Sequence, residues 1–282
     1  MASTGKVALD DSVAAELVES QMVPELRPAF TGWRTFVRFA TGGPSTVASF
    51  PLWGDPGAAA APADDITEIS STALSDTQVS ATAAEVGFRV DVSDLIRETH
   101  PSDLYGEVAA MVSRCILEKY ESDMALLMDD FTANSNTTTA ASTLTPTDLL
   151  AAVSGLEQRD IPGPYVAYLD PKQTGELRTE IAFSTATLAT GGEMVRPFGD
   201  SGWFGTYMGV PIWQSSLTVT TSGLVGGAVF ASGQAIGCYE IRGPRVETQR
   251  DASFRALEFV GSAAYGYCEI SDTRGQTLKS AA

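Results

Sequence analysis

Residues 102–131 carry the strongest periodic signal in the chain. Leu104, Val108, Met111, Val112, Cys115, Met124, Leu127, Met128 and Phe131 recur at three- and four-residue steps, the spacing of an apolar stripe on an α-helix. Pro101 stands at its start, Thr99 or Ser102 can cap it, and Asp103 and Glu107 lie in the first turns, where the helix dipole favours anions. Gly106 weakens the first turn by roughly 1 kcal/mol relative to alanine. A continuous helix here spans about 45 Å, more than a compact protein of this length usually needs. Met111 is expected on the packed face, where an introduced lysine charge costs several kcal/mol.

The stretch before the helix is extended and poor in apolar side chains. Residues 46–53 read as an edge strand, since Pro51 cannot donate to a ladder. Residues 54–65, rich in Gly, Ala, Pro and Asp, form a turn-rich tip. A second extended piece follows near 66–74 and a longer one at 77–93, with Ile66, Ile69, Leu74, Val79, Val86, Phe88, Val90 and Val92 as their apolar content. A long hairpin this thin cannot hold itself up in water. It must lie on something, and a single compact domain offers no obvious place for it.

The 282 residues allow two domains or one elaborate one. Eighteen Lys+Arg against 35 Asp+Glu give a formal charge of −17. This excludes a protein that coats nucleic acid by neutralising phosphates, and a basic membrane-surface anchor. Trp33, Arg34, Phe36, Arg38 and Phe39 interleave rings and cations as single-stranded nucleic-acid binders do. With this net charge they read instead as a strand packing its rings while the arginines meet the acidic remainder. Cys115, Cys238 and Cys268 are odd in number and form no CxxC, which argues against a disulfide scaffold and a structural zinc site. Met1–Val7 shows no apolar signal region, and no run of 18 apolar residues occurs, so a cytoplasmic product without a membrane span is expected.

Elsewhere, residues 10–22 read as a short amphipathic helix that Pro24 and Pro28 prevent from continuing, and residues 132–144 as a polar loop. A second helix starts at Thr145 as N-cap, with Pro146 first and Asp148 third. Residues 165–170 predict a strand and 171–181 a helix. Residues 184–223, rich in Gly, Thr and Ser, show no sustained period. Strand signals return at 225–231, 234–242, 244–250, 254–260 and 263–271, with Gly243-Pro244 marking a turn or close backbone contact.

No motif selects a reaction. P-loop, GxGxxG, HExxH and GxSxG patterns are missing. Gly199-Asp-Ser-Gly202 resembles the nucleophile segment of chymotrypsin-like serine proteases, but Trp203 follows where that family has glycine. The only histidine, His100, precedes Pro101 at a helix start and reads as a capping or turn residue. Thirty-five carboxylates could supply an acid–base pair or a Mg²⁺ site, yet their spacing picks out none, and a solvated acidic surface explains them. Cys115 on the apolar stripe reads as core packing rather than a nucleophile. No catalytic, cofactor-binding or metal residue is assigned.

The parts come in a telling order: an arm, a long thin hairpin, a long helix, a mixed α/β block and a strand-rich close. This resembles the major capsid proteins of tailed bacteriophages, with their α+β HK97-like fold. The likeness covers essentially the whole chain. It rests on that order and on Gly209-Val-Pro-Ile-Trp-Gln-Ser-Ser-Leu217 followed by Gly226-Gly-Ala-Val-Phe-Ala-Ser-Gly-Gln-Ala-Ile236, since such proteins place a Gly-hydrophobic-Pro-Val/Ile strand before a segment of this kind. The resemblance implies an N-terminal arm at 1–38 and an extended loop at 39–95. It implies a peripheral domain at 96–144 with a spine helix, an axial domain at 145–243, and a return into the peripheral domain at 244–282. The hairpin would then lie across a neighbouring subunit, and the helix would run along a flat plate.

By the same resemblance the chain is a structural subunit, not an enzyme, that builds an icosahedral head shell of hexamers and pentamers around double-stranded DNA. Scaffold, portal and cement or decoration proteins are the implied partners. The virion is the implied location, after synthesis in the bacterial host cytoplasm. An encapsulin-type nanocompartment shell is the alternative, and a soluble hydrolase with an acidic site a more distant one. Some family members weld their shells by Lys–Asn bonds between the extended loop and the peripheral domain. Here the lysines are Lys6, Lys119, Lys172 and Lys279 and the asparagines Asn134 and Asn136, so residues 39–95 hold no lysine and 244–282 no asparagine. No such cross-link is expected. Nor does the chain show a long N-terminal scaffolding segment, so a separate scaffold, or little help, is expected.

Overall fold

A computed structural model describes residues 32–54, 71–99, 104–131, 136–137, 143–183, 203–207, 209–218, 220–221 and 224–281. The helix expected at 10–22, most of the hairpin tip, His100, Lys6, Asn134 and Gly199-Asp-Ser-Gly202 lie outside the described residues. A 3-10 turn, Gly32–Thr35, leads into β1 (Arg38–Thr41). β2 (Val47–Trp53) pairs antiparallel with β3 (Asp76–Thr82) as a two-stranded ribbon. The chain then runs through β4 (Ala84–Ser93), the short helix α1 (Asp94–Thr99), α2 (Leu104–Met128) and a short β5 (Asn136–Thr137). Next come α3 (Pro146–Glu157), β6 (Tyr165–Leu169), α4 (Pro171–Phe183), β7 (Trp203–Tyr207) and β8 (Val210–Gln214). The remainder is strand: β9 (Thr220–Thr221), β10 (Leu224–Ala231), β11 (Ile236–Asp251), β12 (Ala256–Glu269) and β13 (Gly275–Ala281).

Two sheets share the long helix. One has the order β1-β11-β12-β4, the other β5-β13-β10-β6-β8-β7 with β9 on β10. On α2, the buried stripe is Val108, Val112, Ile116, Tyr120, Met124 and Met128. Its first half packs with Val92 and Phe259 of the four-stranded sheet. Its second half lies in a cluster that takes in both Ala263 and Tyr265 of that sheet and Tyr168 and Phe230 of the other. Gly261 permits the close approach, for a Cβ there would stand 2.6 Å from Val112 Cγ1. The second sheet has its own core, in which Leu149, Ala152 and Leu156 of α3 and Leu177 of α4 meet Leu169, Ile212, Val229 and Leu278.

Several expectations change. The helix is present, but Met111 is 38% exposed and Cys115 only half-buried. The packed stripe advances in four-residue steps through Ile116 and Tyr120, which turns Met111 outward. Of the extended piece expected near 66–74, residues 66–70 lie outside the described residues and 71–74 are irregular, while the piece expected at 77–93 starts at Asp76 and is broken at Ala83 into β3 and β4. Gly243-Pro244 does not end a strand: β11 runs through it, with register shifts between Glu240 and Arg245. A bulge tolerates a proline because it leaves a residue outside the ladder. Likewise the signals at 254–260 and 263–271 merge into β12. The capping box of α3 forms as read: Asp148 N–H donates to Thr145 Oγ1 and Thr145 N–H to Asp148 Oδ2 at 2.9 Å. β11 pairs with β12 on both sides of 243/244, and β13 pairs with β10 in the other sheet.

Candidate assembly surfaces

The β2–β3 ribbon has a place within its own chain, contrary to the expectation from its composition. Its alternation turns Ala48, Phe50 and Leu52 of β2, with Val79 and Ala81 of β3, toward Tyr239, Cys268 and Ile270. Tyr239 donates its hydroxyl to the Ser45 carbonyl at 2.6 Å. Gly266 clears the crossing: a Cβ there would lie 2.0 Å from the Thr82 carbonyl oxygen. Only the root is seated, however. Trp53 at the far end of β2 is 69% exposed and Leu74 61%, and Gly54 N–H donates to Ser75 O at 2.8 Å to hold the two segments together there. Two large apolar side chains thus stand exposed at the end of the described ribbon.

Before β1, the chain is tied into the core. Trp33 stacks on Tyr120 at 5.5 Å, and Phe36 meets Phe230 edge-on at 5.4 Å. Trp33 and Phe36 pack in the core as read, but from a 3-10 turn and the residues after it, the strand beginning only at Arg38, and Arg34 pairs with Glu240 at 3.0 Å as expected of a cation in an acidic chain.

At the other end of the four-stranded sheet the β11–β12 turn presents Phe254, 68% exposed. Asp251 Oδ1 accepts from Ser253 N–H at 2.8 Å and from Ser253 Oγ at 2.6 Å, which holds the turn and keeps the Asp251 carboxyl below its ordinary value. Arg250 pairs with Asp94 of α1 at 2.8 Å. Arg89 of β4 spans Asp91 at 2.8 Å and Glu258 at 2.5 Å, and Arg242 pairs with Glu85. Exposed pairs of this kind contribute little stability each.

The cysteine thiols are held in their protonated form. Burial pushes the Cys238 thiol up to about 12 and that of Cys268 to about 11, so both stay protonated. Cys115 is raised too, chiefly by burial. Among the described residues no group of His, Cys, Asp and Glu is placed to hold a metal ion, and no helix is long and apolar enough to cross a membrane. Glu121 is the buried carboxylate that sequence reasoning missed.

No family model matches the sequence, and no curated protein is similar to it. Solved structures are. The capsid of cyanophage P-SCSP1u superposes with a TM-score of 0.72 at 14% identity, over 98% of this chain and 97% of that one. The capsid of Ralstonia phage GP4 gives 0.73 at 12%, over 94% of each. The SrpI encapsulin of Synechococcus elongatus PCC 7942 gives 0.63 at 17%, over 96% of this chain and 95% of that one. The fold defined by the ribbon, the long helix and the two sheets is therefore a shell-protein fold. In particular, it is the α+β HK97-like fold of tailed-phage capsids.

Proposed function

We propose that the chain is the structural subunit of a tailed-bacteriophage head shell, assembling through hexamers and pentamers of identical copies around double-stranded DNA. The observation that carries this is a match end to end with phage capsids, more than nine-tenths of both chains being covered. A ribbon whose root is docked while Trp53 and Leu74 stay exposed suits a limb that finishes its packing on a neighbour. In this reading α2 and the four-stranded sheet form the peripheral unit, the second sheet with α3 and α4 the axial unit, and the ribbon the extended loop. The net charge of −17 suits a container that must not adhere to its DNA. The role is structural rather than enzymatic, in the virion. Scaffold, portal and cement proteins are the partners such a shell takes.

Size-exclusion chromatography and negative-stain microscopy of the purified chain test this. Capsomers or closed particles are expected, whereas a small soluble oligomer overturns it. The likeness to SrpI favours a second reading, a protein-loaded nanocompartment, which enclosed protein in place of DNA would establish. The shell is held non-covalently, because residues 39–95 offer no lysine. Boiled particles in SDS should run as the 29.7 kDa monomer, and a ladder of larger species would refute this.

A further inference from the structure

Among the described buried residues, Glu121 is the one with a charged side chain, 4% exposed. It stands on α2 where the helix meets the second sheet. Tyr168 of β6 donates its hydroxyl to Glu121 Oε1 at 2.6 Å. Ser215, the buried residue after β8, offers its one hydroxyl proton to the Glu121–Tyr168 pair, and its N–H donates to Leu169 O at 3.0 Å. Burial pushes the Glu121 carboxyl up, the bonds from Ser215 and Tyr168 pull it down, and Glu118 on the same helix pushes it up again.

Phe36 packs edge-on against Tyr168 at 6.2 Å and in turn meets Trp213 and Phe230, so the surroundings of the Tyr168 ring are apolar. Such contact is non-directional and lets one layer slide on another, whereas a hydrogen bond fails within a few tenths of an ångström or some tens of degrees. A buried carboxylate is unfavourable unless its partners are in place. The chain keeps one at the junction where the helix, already fixed to the four-stranded sheet, must be set against the second sheet. We propose that Glu121, Tyr168 and Ser215 form a latch that fixes the angle between the two sheets, and through that angle the curvature of the assembled shell. The second half of this statement rests on the shell reading of the subunit, whereas the first does not.

The test replaces the latch by apolar groups of similar shape, Glu121→Met with Tyr168→Phe, in the full chain. Spin labels at Glu247→Cys on β11 and Gln158→Cys after α3, in a Cys115→Ser background, report the inter-sheet distance distribution by electron–electron resonance. The wild-type latch should give one narrow distribution. The apolar pair should broaden it at least twofold while the melting temperature stays within about 3 °C. Glu121→Gln, which keeps an acceptor for Tyr168, should restore the narrow distribution. An unchanged distribution in the apolar pair, unfolding of that variant, or broadening by Gln as large as by Met would each overturn the latch. In assembled material the apolar pair should lose the single particle diameter. Broadened distances with uniform wild-type-sized particles would overturn the link to curvature. A wild-type chain that forms no particles would count against the shell reading and leave the distance measurement to decide the latch.

Discussion

Glu269, at the end of β12, has its carboxyl raised to about 7, first by burial and then by the neighbouring carboxylates of Asp272 and Asp130. A raised acid pKa means that the folded state holds the proton more tightly than the unfolded one. The stability it contributes is whole below its ordinary value of 4.5 and is lost as pH rises through about 7. Glu269→Gln keeps the neutral shape and removes that loss. It should raise the melting temperature at pH 8 by about 3 °C, allowing for solvent screening, and leave it unchanged at pH 4. An equal gain at both pH values would assign the effect to packing instead. One turn along α2 the structure separates two neighbours that the sequence grouped together. Val112 is fully buried and Met111 faces outward. Val112→Lys should cost several kcal/mol in urea titration of the isolated subunit, and Met111→Lys about 0.5 kcal/mol or less.

At the scale of elements, what was legible was what is local. The capping box at Thr145 and Asp148, the strand around Pro51 and the helical period of α2 could be read from neighbours in sequence, although the buried stripe of α2 runs through Ile116 and Tyr120 and not through Met111. What was illegible depends on partners far away in the chain. β13 reads as polar, yet Gln276, Thr277 and Ser280 are buried because β10 and β5 flank them. The ribbon's seat was invisible for the same reason, being made by Tyr239, Cys268 and Gly266 from the opposite end of the sequence. Of the assembly surface, the thin ribbon could be foreseen from composition, but Glu121 could not be told from Glu118 or Asp123 without knowing which side of the helix the second sheet covers. The seat gives a sharp prediction. Because the Cβ of Gly266→Ala would strike backbone at Thr82, which cannot swing aside as a side chain can, the ribbon must lift. Hydrogen exchange in β2 and β3 should rise at least tenfold, while β10 and β13 keep their protection. Unchanged exchange in the ribbon would show that the crossing is looser than this contact implies.

For the whole molecule, the seated root and the exposed end of the ribbon separate folding from assembly. The anchors Phe50 and Ala81 lie outside residues 54–65, so deleting that segment leaves the seat against Tyr239, Cys268 and Ile270 in place and removes the Gly54–Ser75 bond. Folding stability should therefore be preserved, with the melting temperature of the isolated subunit within about 2 °C of the parent. Assembly should not be preserved. In the proposed shell, Trp53 and Leu74 would then stand beside a loop too short to carry them across a neighbour, and at about 25 cal/mol per Å² the loss of their burial there is on the order of a few kcal/mol per subunit contact. A shell repeats that contact at every copy, so even a modest loss at each becomes a large one in the closed particle. Differential scanning calorimetry of assembled material reads the two quantities separately, as a particle-dissociation transition and a subunit-unfolding transition. The first should fall and the second stay. If both stay, the ribbon end makes no contact between copies; if both fall, residues 54–65 belong to the subunit's own fold.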